Sequence, residues 1–80
     1  MPMKLTIRYY DGPSDDVDSD PVGAEISATF PDVEAARRVA FEIAEQPQIR
    51  TLARGLVIEA EGRAVERWLR TKADWAPDPG

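Results

Sequence analysis

Asp32–Gln46, DVEAARRVAFEIAEQ, decides how the rest of this 80-residue chain is read. Its apolar positions recur at helical spacing: Val33, Ala36, Ala40, Ile43 and Ala44 fall on one stripe, flanked by Val39 and Phe41. Glu34, Arg38, Glu42 and Glu45 take the opposite side, and Glu34 precedes Arg38 in the favourable (i, i+4) order. Asp32 is placed to cap the free N–H groups of the first turn, and Pro47 biases Gln46 away from helical angles and closes the element. The stripe is rich in alanine, so the helix can lie close to whatever it covers. It carries no chemistry.

Outward from the helix, the alternation has period 2. Met3, Leu5, Ile7 and Tyr9 point one way while Lys4, Thr6, Arg8 and Tyr10 point the other, which predicts a first strand over Met3–Tyr10. Gly23–Phe30 predicts a second, with Ala24, Ile26, Ala28 and Phe30 inward. Leu56–Glu61 predicts a third, with Leu56, Ile58 and Ala60 inward. Complementary charges on the wet faces, Lys4 and Arg8 against Glu25, Glu59 and Glu61, place the first strand in the middle, in spatial order 2-1-3. Ile49 and Leu52 suggest one helical turn, with Gly55 as its C-cap.

Arg63–Thr71 reads two ways. As a helix it gathers Ala64, Val65, Trp68 and Leu69 on one arc. As a strand it forms a hairpin with the third strand through Glu61-Gly62, but Arg67 and Glu66 interrupt the alternation. The helix is the better match. Trp68 is expected in the core and Trp75 as a lid over the sheet end. The expected architecture is α+β, with a small antiparallel-type sheet of three strands, or four with the hairpin, and one main helix on one face. Residues 1–75 form one domain, and 76–80 are expected to be a disordered tail.

Composition excludes several function classes. A domain of this length buries only about 60–65% of its unfolded surface, enough for a thin two-layer core without a deep cleft. The sequence contains no Cys and no His, which removes the thiolate nucleophile, the commonest general base and the commonest metal ligand. No Gly-rich phosphate loop follows a strand, and no serine has a base to activate it, so neither catalysis nor a cofactor is expected. Asp16, Asp18 and Asp20 have the spacing of a Ca²⁺ loop. However, Pro21 replaces its glycine and Ser27 its bidentate Glu, so no metal site is expected. No apolar run approaches a bilayer span, and Met1–Tyr10 is too polar for a signal peptide. The chain is therefore expected to be cytoplasmic, and the domain is expected to act as a monomer.

Charge is the informative feature. From Asp11 to Glu34 there are eight acids and no base, a net of −8. From Ala35 to Lys72 there are eight bases against five acids, a net of +3. Asp11, Asp15, Asp16, Asp18, Asp20 and Glu25, with Tyr10 beside them, form the candidate partner-binding set. Such a patch suits a basic, usually nucleic-acid-binding, protein and repels nucleic acid itself. The alternative is direct nucleic-acid contact, or contact with another protein, through Arg50, Arg54, Arg63, Arg67, Arg70 and Lys72.

The layout resembles the small acidic proteins with which phages disable CRISPR immunity. The resemblance rests on KLTIRYYDG as first strand, AEISATF running directly into PDVEAARRVAFEIAEQ, and GLVIEAEGRAVERW as closing unit. It implies an inhibitor, in the host cytoplasm, that binds a type I surveillance complex and blocks its access to target DNA. Asp15–Asp20 would then imitate phosphates. The basic second half departs from an all-round DNA mimic.

Overall fold

The helix stripe meets its floor on a five-stranded antiparallel sheet. A computed structural model describes residues 2–72 and 74–78. The elements are β1 (Met3–Tyr10), β2 (Ile26–Phe30), α1 (Val33–Ala44), α2 (Pro47–Arg50), β3 (Gly55–Ala60), β4 (Arg63–Arg70) and β5 (Trp75–Pro77). The strand order is β2-β1-β3-β4-β5, and every neighbouring pair is antiparallel. The chain is a small α+β domain with one main helix, and its sheet has more strands than the three or four expected. No helix among the described residues is long and apolar enough to cross a membrane.

Asp32 caps α1 as its position predicts, its Oδ1 accepting from the Ala35 N–H at 2.8 Å. Ala36, Ala40 and Ala44 are fully buried against Leu5, Ile7, Tyr9, Leu56 and Ile58 of the sheet. Small side chains on the stripe let the Tyr9 hydroxyl reach the helix backbone and donate to Ala40 O at 2.5 Å. Burial pushes the Tyr9 phenol well above its usual pKa, so it stays a neutral donor. β2 is shorter than expected and lies at the edge. Ala24 and Ala28 are exposed and Ile26 is only half-buried, because α1 covers the sheet's centre more fully than its rim.

Arg63–Arg70 is a strand, which overturns the helix expected there. Glu61 and Gly62 both adopt positive φ, 53° and 78°, and make the two-residue turn whose twist suits a hairpin. The register then shifts: Glu59 pairs with Ala64 and Ile58 with Glu66, so Val65 is an extra, bulged residue. The bulge flips the alternation, turning Glu66, Trp68 and Arg70 toward α1 and Arg67 and Leu69 away. Two short alternating runs of opposite phase are what made the segment read as a poor strand.

The polar helix-side positions of β4 have partners. Arg37 of α1 donates to both Glu66 oxygens, Nε at 2.8 Å and Nη2 at 2.5 Å, and Trp68 Nε1 donates to Oε1 at 3.0 Å. Arg70 donates to the Ala44 carbonyl at 3.3 Å, at the free C-terminal end of α1. Phe41 fills the seam, edge-on to Trp68 at 5.2 Å and stacked with Trp75 at 6.1 Å. Trp68 thus packs against the core and Trp75 closes the sheet end. Ala76 and Pro77, counted with the tail above, belong to β5, and the Asp78 N–H donates to Arg67 O at 2.8 Å. Pro79 and Gly80 lie outside the described residues.

The Arg37 hydrogen bonds, helped by Trp68 and opposed by burial, hold the Glu66 carboxyl below the ordinary glutamate value of 4.5. Below that value the unfolded chain binds more protons than the folded one, so stability there rises with pH and is lost on acidification. The pair's contribution is complete above pH 4.5 and is lost as pH drops through the folded value. Urea melts of Glu66→Gln should therefore show a flatter acid limb than wild type. Parallel limbs would exclude this linkage.

Candidate functional site

The Asp11–Val22 connection carries most of the candidate residues, and it is a built loop. Its neck is closed by Asp11 N–H to Asp20 O at 3.0 Å, Asp20 N–H to Asp11 Oδ1 at 2.8 Å, and Val22 N–H to Tyr9 O at 2.8 Å. Tyr10 and Pro21 form an isolated bridge across it, and Val22 is buried beneath. Closed ends and internal bonding make it an Ω-type loop. Toward the tip, Asp16 N–H donates to Pro13 O and Ser19 N–H to Asp16 O, both at 3.1 Å. Asp16 Oδ1 also accepts from the Asp18 N–H at 2.9 Å.

The loop is seated on the sheet at Gly55. A Cβ there would overlap the Gly12 carbonyl oxygen and come within 3.1 Å of the Gly12 carbonyl carbon and 3.2 Å of Ser14 N. Gly55 is therefore the first residue of β3, held bare for a crossing chain, and not the helix C-cap expected of it. Only three-dimensional proximity shows this role, because 43 positions separate Gly12 from Gly55.

The candidate residues divide into two groups. Asp15, Asp16, Asp18 and Asp20 are exposed on the loop, around Val17, which is 97% exposed at the tip. Among the described residues, ion pairs engage Glu25, Glu34, Glu45, Glu59 and Glu66, and none engages these four aspartates. Asp11 serves the neck. Glu25 and Tyr10 belong to a network on the uncovered sheet face, where Arg8 pairs with Glu25 and with Glu59, each at 3.1 Å. Tyr10, then Glu59 and Glu25, raise the Arg8 pKa further, so that charge is permanent. Glu25 is thereby neutralised locally, and the outward field comes from the loop.

The alternative basic set is also divided. Arg50, Arg54, Arg70 and Lys72 gather where α1 ends, around two adjoining hollows of about 160 and 460 Å³ that share Glu45, Arg50 and Arg70. Two of these cations are already engaged. Arg50 pairs with Glu45 at 3.7 Å, and Arg70 caps α1 while lying 4.8 Å from the Trp75 ring centroid. Arg63 follows the hairpin turn and Arg67 lies beside Val57 in the sheet register. These six residues do not make one surface. Among the described residues no group of His, Cys, Asp or Glu is arranged to hold a metal ion.

Comparison with protein families, curated proteins and solved structures finds no match to this chain. The site is therefore read from its own geometry.

Proposed function

We propose that the protein acts by binding, as an inhibitor that presents the Asp11–Val22 loop to a basic, nucleic-acid-handling protein complex and does not contact nucleic acid itself. The observation that carries this reading is the loop itself: four aspartates outside any ion pair among the described residues, on a hydrogen-bonded frame with Val17 bare at its tip. A preformed loop loses little entropy on docking, and unneutralised carboxylates both steer association and supply charge-assisted contacts. Val17 provides an apolar anchor that a purely electrostatic contact lacks. The resemblance to phage anti-CRISPR proteins makes a type I surveillance complex the first partner to test, with the aspartates standing in for DNA phosphates.

Asparagine retains the Oδ1 acceptor that Asp11 and Asp16 use, so Asp15→Asn/Asp16→Asn/Asp18→Asn/Asp20→Asn leaves the loop frame intact. That variant should melt like wild type yet bind a purified surveillance complex at least about a hundredfold more weakly. Wild-type binding should also weaken steeply with salt. Arg54→Ala/Lys72→Ala is the control; Arg70 is unsuitable because it caps α1. A gel shift on plain DNA by the isolated protein, lost in the control variant, overturns the proposal.

A further inference from the structure

We propose that two copies of this chain associate through the free edge of β2, antiparallel about a two-fold axis at Ala28, to form one continuous sheet. Among the described residues, β2 has β1 on one side and no strand on the other, and Ser27, Ala28 and Thr29 are exposed. Edge strands are normally blunted by charge, proline or a bulge. The opposite edge, β5, has three residues and ends in Pro77. The β2 edge, ISATF, has none of these devices: five uncharged residues in unbroken register with β1.

The strand is complementary to itself. With the axis at Ala28, Ile26 of one copy faces Phe30 of the other, Ser27 faces Thr29, and Ala28 faces Ala28. Apolar positions on the helix side meet apolar positions, and hydroxyls meet hydroxyls. An axis at Ser27 or Thr29 would leave part of the strand unpaired, and a one-residue slip would put the two helices on opposite sides of the joint sheet. At the flanks Glu25 would face Pro31 and is drawn to Arg8 in its own chain, so no like charges stand directly opposite.

Two further features fit this geometry. A shallow, mainly apolar hollow lined by Pro2, Thr29, Phe30 and Pro31 lies at the C-terminal end of β2, and the half-buried Ile26 lies at the other end. The two-fold brings each Ile26 beside the other copy's hollow. It also sends the acidic loops, which precede β2, to opposite ends of the shared edge. Five residues span about 17 Å, roughly two Debye lengths at physiological salt, so direct repulsion between the two loops is largely screened. This dimer stands in place of the expected monomer and does not depend on what the loop binds.

Sedimentation equilibrium over a concentration series tests this, with the melt of each variant as the folding control. Wild type should move from 8.9 kDa toward twice that mass. Ser27→Lys/Thr29→Lys sets lysine against lysine twice and should weaken association by about tenfold or more. Ser27→Lys/Thr29→Glu instead sets a lysine of each copy against a glutamate of the other and should restore it. If the double-lysine variant does not melt cooperatively, Ala28→Glu, which opposes its own copy on the axis, takes its place and should lose the dimer. A wild type that stays at monomer mass to millimolar concentration overturns the proposal. So does a dimer that survives the like-charge substitution, or a lysine–glutamate variant no better associated than the double-lysine one.

Discussion

Gly55→Ala is expected to unseat the acidic loop and lower the stability of the whole domain by about 2 kcal/mol. The added methyl meets the Gly12 carbonyl and Ser14 N. These are backbone atoms, so no side-chain rotation relieves the overlap. β3 cannot retreat, because it is paired on both sides with β1 and β4. The loop must lift, and the contacts at its neck lift with it. For a domain of this size that loss lowers the melting midpoint by about 8–16 °C. Amide exchange at Asp20 and Val22, whose N–H groups bond back to Asp11 and Tyr9, should accelerate more than exchange in the sheet interior. Gly12→Ala is the contrast, since its Cβ meets only the Ser19 side chain, which can turn away. Wild-type melting and wild-type protection in Gly55→Ala would mean the loop is not held there. The same variant bears on function, because partner binding should drop although no charge has changed. Undiminished binding would show that charge alone suffices and that the frame is irrelevant.

Phe41→Ala should be the other severe substitution. Among the described residues, Phe41 is the one α1 side chain in ring contact with both tryptophans, edge-on to Trp68 and stacked on Trp75. Removing it leaves a void between α1 and the β4–β5 end of the sheet. The expected cost is about 3 kcal/mol, at the low end for such truncations because Phe41 retains some exposure. A domain of 80 residues has about 4–12 kcal/mol in total, so the variant should be marginal. Tryptophan emission should shift to the red before the far-ultraviolet helix signal is lost, because the β5 strap is held on one side by three residues of pairing with β4. A cost under about 1 kcal/mol with unchanged emission would contradict the assigned seam.

Both substitutions act where distant segments meet, and neither position announces its role locally. The elements that were legible in the sequence are those whose periodicity is unbroken and whose partners are complementary in kind. α1 declares itself through its alanine stripe and the Asp32 cap, and β1 through clean alternation, while in β3 Val57 departs from the alternation and is buried as well. The order β2-β1-β3 follows from Arg8 needing acids on both sides, and it finds them in Glu25 and Glu59. The acidic character of the loop was equally legible, since charge is additive along the chain.

What the tertiary structure alone decided depends on contacts between residues far apart in sequence. Arg63–Arg70 has helical spacing in isolation, yet Glu61 and Gly62 turn it back along an unpaired β3. The bulge at Val65 then lets Glu66 and Arg70 face the helix, because Arg37 and the Ala44 carbonyl are there to receive them. A polar residue on an inward face reads as an interruption until its partner is known. β5 exists because β4 is a strand and offers it an edge. The acidic segment is a framed loop because Gly55, 43 positions beyond Gly12, leaves room for its backbone. Period and charge are local properties and are written in the chain, whereas partnership across the fold is a property of where the chain has been brought together.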